Sequence, residues 1–109
     1  DPYSHKVVRA SMGAVFRVQP VMTCWQTVKA ACDAAGISVG VTALSDSARD
    51  LRQQELKQMA VVIGSEGRGV RQEIIDHASH KLIIPMNPHC ESLNAAVAAT
   101  IVMWEMTNR

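Results

Sequence analysis

The sequence is poor in aromatic and in charged residues. Aromatic residues make up 4% of the 109 and charged residues 19%, whereas an ordinary soluble domain carries roughly 25% charged residues. Since 48% of the residues are apolar, we expect a core built from Val, Ile, Leu, Met and Ala. The length suits one small domain, and so little charge suggests that part of its surface is hidden against a partner.

Cysteine usage excludes several classes of protein. The three cysteines are an odd number and form no C-x-x-C pair, so a disulfide framework or a metal site is not expected. This usage is typical of the reducing cytoplasm. No signal peptide is visible, and no apolar run reaches the roughly 18 residues of a membrane span. The net charge of +1 is not the basic footprint of a free-standing nucleic-acid binder, and it neither demands nor excludes RNA.

The chain opens on Asp1-Pro2-Tyr3-Ser4 without an initiator methionine. This stretch is typical of a loop that enters a helix, so we expect further residues upstream. No linker, repeat or low-complexity tract divides the sequence. We therefore treat residues 1–109 as a single, partial domain.

Hydrophobic periodicity predicts strands that alternate with helices. Ser4 is expected to cap a helix that runs through Met12 and buries Val7, Val8, Ser11 and Ala14. Thr23 is expected to cap a second helix, which stops at Gly36 and buries one stripe of residues: Trp25, Val28, Ala31, Cys32 and Ala35. The polar stretch from Ser45 to Gln58 is predicted to be an exposed loop with some helical character. A short helix at Val70–Ala78 and a long one beginning at Glu91 or Ser92 complete the set. The predicted strands are Phe16–Met22, Ile37–Leu44, Met59–Gly64 and Lys81–Pro85.

This alternation predicts the α/β class, with a mostly parallel sheet flanked by helices. Ligands on such sheets bind just beyond the carboxyl ends of the strands. The two most unusual loops, 64–69 and 85–92, follow predicted strands at that edge.

The first of these loops contains Gly64, Gly67 and Gly69. Their spacing is not G-x-G-x-x-G, and the loop lacks the Lys-Ser/Thr pair of a phosphate-binding loop. Glu66 would also repel phosphate. From spacing alone the loop is a tight strand-to-helix turn in which Glu66 and Arg68 are solvated charges.

The second loop leads into the last helix. Ser92 is there an ordinary candidate for a helix N-cap, and His89 has no acid–base partner fixed near it by spacing. The helix itself is apolar on nearly all sides, with Val97, Ile101 and Trp104 on one stripe. Such a helix is covered on both sides, either within one protomer or, as we expect, by a second copy in a homodimer.

Both loops resemble motifs of the SpoU/TrmH family of RNA 2′-O-methyltransferases, a branch of the SPOUT superfamily. The second family motif is similar to residues 62–70, and the third is similar to Ile84-Pro85-Met86 followed, four residues later, by residues 91–98. Residues 6–17 are similar to the family's helix and turn. The resemblance covers nearly the whole chain, in order and at the family's spacing.

The resemblance implies a C-terminal trefoil knot that binds S-adenosyl-L-methionine in a bent form. Carried over by motif, the cofactor contacts would be Gly64, Ile84, Met86, Ser92, Leu93 and the strand end Thr42–Ala43. It also implies an S-adenosylmethionine-dependent enzyme that methylates ribose 2′-hydroxyls of tRNA or rRNA, with RNA as its partner.

The resemblance further implies catalytic roles for Glu66, Ser92 and Asn94. Asn94 and Ser92 would orient the catalytic groups, while Glu66 would hold its loop. The family's catalytic arginine belongs to a first motif that has no counterpart in residues 1–109, and Asn87-Pro88-His89-Cys90 stands where the family commonly has a glycine. A non-catalytic knotted dimer that binds cofactor or RNA therefore remains the alternative. An ordinary nucleotide-binding domain is a third reading, which the lack of a phosphate loop disfavours.

Overall fold

The computed structural model describes residues 3–14, 17–43, 47–65, 68–86 and 94–107. Its helices are α1 (His5–Ala10), α2 (Trp25–Ala35), α3 (Gln72–His77) and α4 (Ala95–Thr107). Its strands are β1 (Ser38–Thr42), β2 (Arg49–Asp50), β3 (Met59–Val62) and β4 (His80–Ile83), with a 3-10 helix at Leu51–Gln53.

The four strands form one sheet in the order β2-β4-β1-β3, and each neighbouring pair is parallel. The predicted α/β class with a mostly parallel sheet is therefore confirmed. Residues 39–41 of β1 are all buried, as expected for a central strand with both faces covered. The side chains that pack on the two sides of the sheet form two core clusters.

The first cluster joins α2 and α3 to the sheet through Trp25, Cys32, Val39, Val41 and Ile74. The second joins α4 and the 3-10 helix to it through Leu51, Leu56, Met59, Leu82 and Val102. The predicted Trp25 stripe of α2 is thus correct for Trp25 and Cys32, whereas Ala31 and Ala35 on the same predicted stripe are exposed.

The prediction of a strand at Phe16–Met22 is wrong over its described part. Residues 17–24 form no strand, and Val18, Val21 and Met22 are 69%, 77% and 83% exposed. A strand needs a hydrogen-bonding neighbour, and no described strand lies beside this segment. Helix α2 correspondingly begins at Trp25, after Cys24 as N-cap residue, and not after Thr23.

The predicted burial of α1 is only partly correct. This helix ends at Ala10 and has no fully buried residue, although Ser4 does cap it by accepting a hydrogen bond from the Val7 N–H at 3.3 Å. Val8 and Ser11 are half-buried, whereas Val7 is 42% exposed and Ala14 is exposed. The helical spacing formed, but the described residues cover only part of the predicted face.

The segment 45–58 was predicted as an exposed loop with some helical character. The 3-10 helix agrees with the helical character, and most of the described residues are exposed, but the prediction is wrong where the segment pairs with the sheet or is buried. The segment contains β2 and the 3-10 helix, and Leu51, Gln54 and Leu56 are buried. Leu51 and Leu56 anchor the segment in the second cluster. Because the residues between Leu51 and Leu56 are polar, the sequence pattern does not indicate that these two leucines are buried.

Smaller differences concern boundaries. Helix α3 is shorter at both ends than the predicted 70–78, and strand β4 begins one residue before and ends two residues before the predicted Lys81–Pro85. Helix α4 begins after Asn94, and not at Glu91 or Ser92. The described residues contain no helix with the length and apolar character of a membrane span.

Candidate ligand-binding edge of the sheet

The parallel strands bring the predicted cofactor residues to one edge of the sheet. Because β1 pairs with β3 on one side and β4 on the other, its end at Thr42–Ala43 lies between the segments that follow β3 and β4. Gly64 belongs to the first of these segments, and Ile84 and Met86 to the second. We call this region the carboxyl edge. It is where ligands of open α/β sheets bind.

The end of β1 is fixed by hydrogen bonds to both neighbours. The Thr42 hydroxyl donates to the Val62 carbonyl at 3.5 Å, and the Ala43 N–H donates to the Leu82 carbonyl at 3.0 Å. The Ala43 N–H is therefore occupied within the sheet and is not available to a ligand. Thr42 and Ala43 are both half-buried. What they can offer a ligand is therefore a surface to pack against and their carbonyl oxygens.

The loop after β3 folds back onto Gly64. The Gly69 N–H donates to the Ser65 carbonyl at 2.9 Å, and Gly69 has a φ of 70°. A Cβ on Gly64 would lie 2.5 Å from the Gly69 carbonyl carbon and 2.6 Å from the Val70 nitrogen. Position 64 must therefore be glycine because the backbone of residues 69–70 leaves no room for a Cβ. This close approach explains the glycine better than a need for a flexible backbone does.

The segment after β4 supplies an apolar wall. Ile84 is half-buried and packs against the second core cluster, as does Ile63 from the neighbouring segment. Met86 is half-buried and Pro85 exposed. Ile63 was missed in the sequence, although its place directly before Gly64 in a buried apolar run is a signal that could have found it.

Asn94 caps helix α4. Its Oδ1 accepts hydrogen bonds from the Ala96 N–H at 2.8 Å and the Val97 N–H at 3.4 Å. Both lone pairs of Oδ1 are thus engaged, so what Asn94 can offer a substrate is its Nδ2 hydrogens. The predicted site residues Glu66, Ser92 and Leu93 lie outside the described residues.

The described part of the carboxyl edge carries little charge. The only charged side chain among its described residues and Asn94 is that of Arg68, which is exposed. The described residues of the edge are Thr42–Ala43, 63–65, 68–70 and 84–86. Within the described ranges, no three His, Cys, Asp or Glu side chains come together as metal ligands. Such an almost uncharged, largely apolar edge suits a flat, neutral group such as a nucleobase.

A surface depression lies elsewhere. Met12, Gly13, Ala14 and Arg17 line it, and none of them belongs to the carboxyl edge. We therefore place the candidate site at the carboxyl edge, on the basis of the strand geometry, and not at this depression.

Comparison with known proteins gives one consistent result. Residues 1–104 match the model of the SpoU rRNA Methylase family. The chain is 28% identical over 106 residues to the 23S rRNA (guanosine(2553)-2′-O)-methyltransferase RlmP of Bacillus subtilis, covering 97% of this chain and 43% of that protein.

Two solved structures show the same fold. An AdoMet-bound rRNA methyltransferase from Sinorhizobium meliloti matches with a TM-score of 0.89 and 30% identity, over 99% of this chain and 42% of that one. The SpoU methyltransferase AviRb from Streptomyces viridochromogenes, in complex with AdoMet, matches with a TM-score of 0.85 and 29% identity, over 99% and 45%. The chain thus spans less than half the length of the relatives it matches.

Proposed function

Because this chain belongs to the SpoU rRNA methylase family, we propose that its parent protein is an S-adenosyl-L-methionine-dependent RNA methyltransferase that modifies ribose 2′-hydroxyls of tRNA or rRNA. Residues 1–109 are part of one catalytic domain in this proposal, and the carboxyl edge is the part that binds cofactor. The observation that carries it is the close approach of the 69–70 backbone to Gly64, at the same edge of the sheet at which Ile84 packs against the second core cluster. AdoMet-bound relatives of the same fold support it.

The residues of the carboxyl edge fit an adenosyl group. The adenine would lie against Ile84, Met86 and the Gly64 backbone, with Leu93 and Thr42–Ala43 completing the slot. The bound cofactor supplies an electrophilic methyl group on a sulfonium. Since the sulfonium is cationic, a nearby carboxylate such as Glu66 is electrostatically favourable.

The chain's own residues contribute to positioning the nucleophile. A ribose 2′-hydroxyl is a weak nucleophile that must share or lose its proton as it attacks. We propose that Asn94 and Ser92 orient the groups that do this, while Glu66 holds the glycine loop. The Asn94 Oδ1 is occupied by the helix, so Asn94 acts as a donor through Nδ2 and not as a base.

The strand order supports the knotted chain path that we propose. Strand β4 lies between β1 and β2, and Leu82 of β4 is level with both Thr42 of β1 and Arg49 of β2. In this order, a connection from β1 to β2 that crosses β4 near Leu82 would form a loop beside the chain that continues beyond Ile83. Threading of that chain through the loop is what the proposed knot requires.

We also propose that the parent protein is a homodimer joined through α4. Ala98 and Val102 of α4 are buried, whereas Val97, Met103 and Trp104 are 47%, 57% and 64% exposed. Exposed large apolar residues on a helix already packed on its other side are typical of a subunit interface. Trp104→Glu should give monomers in sedimentation, while Val21→Glu, also at an exposed apolar residue, should not. A wild-type monomer would remove this part of the proposal.

We propose a cytoplasmic location, in keeping with the free thiols of Cys24 and Cys32 and with the RNA substrate. Disulfides are rare in that compartment.

Calorimetry on the full-length protein tests the cofactor site. Wild type should bind S-adenosylhomocysteine, Gly64→Ala and Leu93→Arg should lose binding, and Val21→Ala is the control. Val21 is 77% exposed and lies outside the carboxyl edge, so this control should retain binding. Unchanged binding in Leu93→Arg would move the cofactor site elsewhere.

Transfer is tested with radiolabelled cofactor and RNA. Methylation of a 2′-hydroxyl makes the adjacent linkage resistant to alkali, because that hydroxyl is the nucleophile of alkaline cleavage. Label should therefore remain in alkali-resistant dinucleotides. Label in mononucleotides would indicate base methylation. Cofactor binding without transfer to any RNA would favour the non-catalytic alternative.

A further inference from the structure

The net charge of +1 conceals an uneven distribution. Residues 2–32 contain four of the 11 lysines and arginines, at positions 6, 9, 17 and 29, and none of the 10 acidic residues. The other seven cations share the rest of the chain with all 10 acidic residues. The sequence as a whole lacks a basic footprint, but residues 2–32 contain only cations among their charged residues.

Residues 3–24, which we call the N-terminal arm, carry the first three of these cations on their surface. Lys6, Arg9 and Arg17 are all exposed. Lys6 and Arg9 are three residues apart on α1, so they lie on the same side of the helix. None of the three forms an ion pair with a described residue. Arg52 and Arg71, in contrast, pair with Asp50 at 2.7 Å and Glu73 at 3.1 Å.

The backbone holds Arg17 close to the end of α1. The Ala14 N–H donates to the Ser11 carbonyl at 3.0 Å, and the Arg17 N–H donates to the Ala14 carbonyl at 2.9 Å. Two successive turns of this kind keep the segment compact. Arg17 also lines the surface depression with Met12 and Gly13.

The turn at Met12 is held in an unfavourable conformation. Met12 has a φ of 52° and is 93% exposed. Positive φ is uncommon for a residue other than glycine, and packing around an exposed side chain does not compensate for it.

We propose that the N-terminal arm contacts the ribose–phosphate backbone of the RNA, through Lys6, Arg9 and Arg17. This inference rests on the proposed function, because it names the surface by which that enzyme would hold its substrate. Uncompensated cations are attracted to a polyanion and fix its position without reading its sequence. The carboxyl edge, which has Arg68 as its one described charge, cannot supply that attraction alone.

The salt dependence of RNA binding tests this assignment on the full-length protein. The probe is a fluorescein-labelled oligouridylate, and the readout is anisotropy at several salt concentrations. Each lost phosphate contact lowers the slope of log K against log salt by about 0.7 for a single strand. Lys6→Gln/Arg9→Gln should therefore lower the slope by about 1.4. Between about 50 and 200 mM salt, this variant should lose roughly sevenfold less affinity than wild type.

A matched pair of variants controls for overall charge. Arg52→Gln/Lys57→Gln removes one arginine and one lysine outside the arm, where Arg52 is already neutralised by Asp50. It should leave the slope unchanged. Lys6→Arg/Arg9→Lys keeps both charges and should also retain the wild-type slope, and adding Arg17→Gln to the first variant should lower it by a further 0.7 or so.

Two results would overturn the inference. One is a wild-type slope in Lys6→Gln/Arg9→Gln, and the other is an equal loss in the control pair. If the arm variant instead leaves the slope intact and changes the oligomeric state, the arm is a protein-binding surface. Calorimetry with S-adenosylhomocysteine separates these outcomes from failure of the proposed function. A wild type that binds RNA but not this ligand fails the function, and an arm variant that binds the ligand is folded.

Discussion

The N-terminal arm and the sheet differ in what their apolar residues do. Every buried residue that the structure describes lies between Trp25 and Val102. The arm has helical spacing and apolar side chains too, yet Met12 is 93% and Met22 83% exposed. The difference shows that an apolar pattern predicts the shape of a segment, whereas burial depends on a neighbour that can cover it.

The two regions also have different proposed roles, since the carboxyl edge of the sheet would bind the cofactor and the arm would bind RNA. The carboxyl edge is almost uncharged in its described part and suits an adenosyl group, while the arm carries cations and no acidic residues of its own. An almost uncharged edge and a separate basic surface would let cofactor and RNA be bound by different forces. Cofactor affinity should then depend weakly on salt and RNA affinity strongly.

The largest contrast between the regions is expected in stability. Leu82 of β4 is fully buried, and Val21 of the arm is 77% exposed. Leu82→Ala should lower the free energy of unfolding by about 2–5 kcal/mol through lost burial and the cavity left behind. Val21→Ala should change it by less than about 0.5 kcal/mol. Urea unfolding of the full-length protein measures both. Similar losses would mean that the arm is packed as tightly as the sheet.

A smaller effect is expected at the start of α4. Asn94→Ala removes the acceptor of two helix N–H groups and should cost about 0.5–2 kcal/mol. Asn94→Asp keeps a good cap and should cost far less, but it removes the Nδ2 donor. Thermal unfolding and methyl transfer on the same variants separate the roles. If Asn94→Asp retains full activity, Asn94 is a helix cap and not a positioning residue.

The smallest contrast concerns two cysteines that lie eight residues apart. Cys24 is exposed at the end of the arm, and Cys32 is buried in the sheet core. A hydrogen bond with the Thr27 hydroxyl lowers the pKa of the Cys24 thiol, so more reactive thiolate is present at a given pH. Iodoacetamide followed by peptide mapping should label Cys24 well before Cys32. Thr27→Val should move the alkylation of Cys24 to higher pH. Equal labelling of the two cysteines would contradict the arrangement.

The central strands could be predicted because their apolar runs record burial directly. Strand β3 lies within the predicted Met59–Gly64, and β1 within the predicted Ile37–Leu44. Strand β2 could not, since two polar residues, Arg49 and Asp50, have no periodicity and owe their place to pairing with β4. The arm was predicted incorrectly for the opposite reason, because its local pattern was clear but the described residues bury none of it fully.

The candidate site shows the same division. Gly64, Thr42 and Ile84 could be placed at one edge because parallel strands bring their carboxyl ends together. The contact of residues 69–70 with Gly64 could not be foreseen, because it depends on how the loop closes. The capping role of Asn94 was assigned to Ser92, since either side chain can cap a helix and the sequence does not say where the first turn starts.

A crystal structure of the full-length protein with S-adenosylhomocysteine tests the central claim most directly. We expect the adenine between the Gly64 backbone and residues 84–86, with the chain after β4 threaded past the β1–β2 connection. The same ligand bound away from this edge, or a chain that can be traced without a knot and leaves no room for adenine there, would contradict the account.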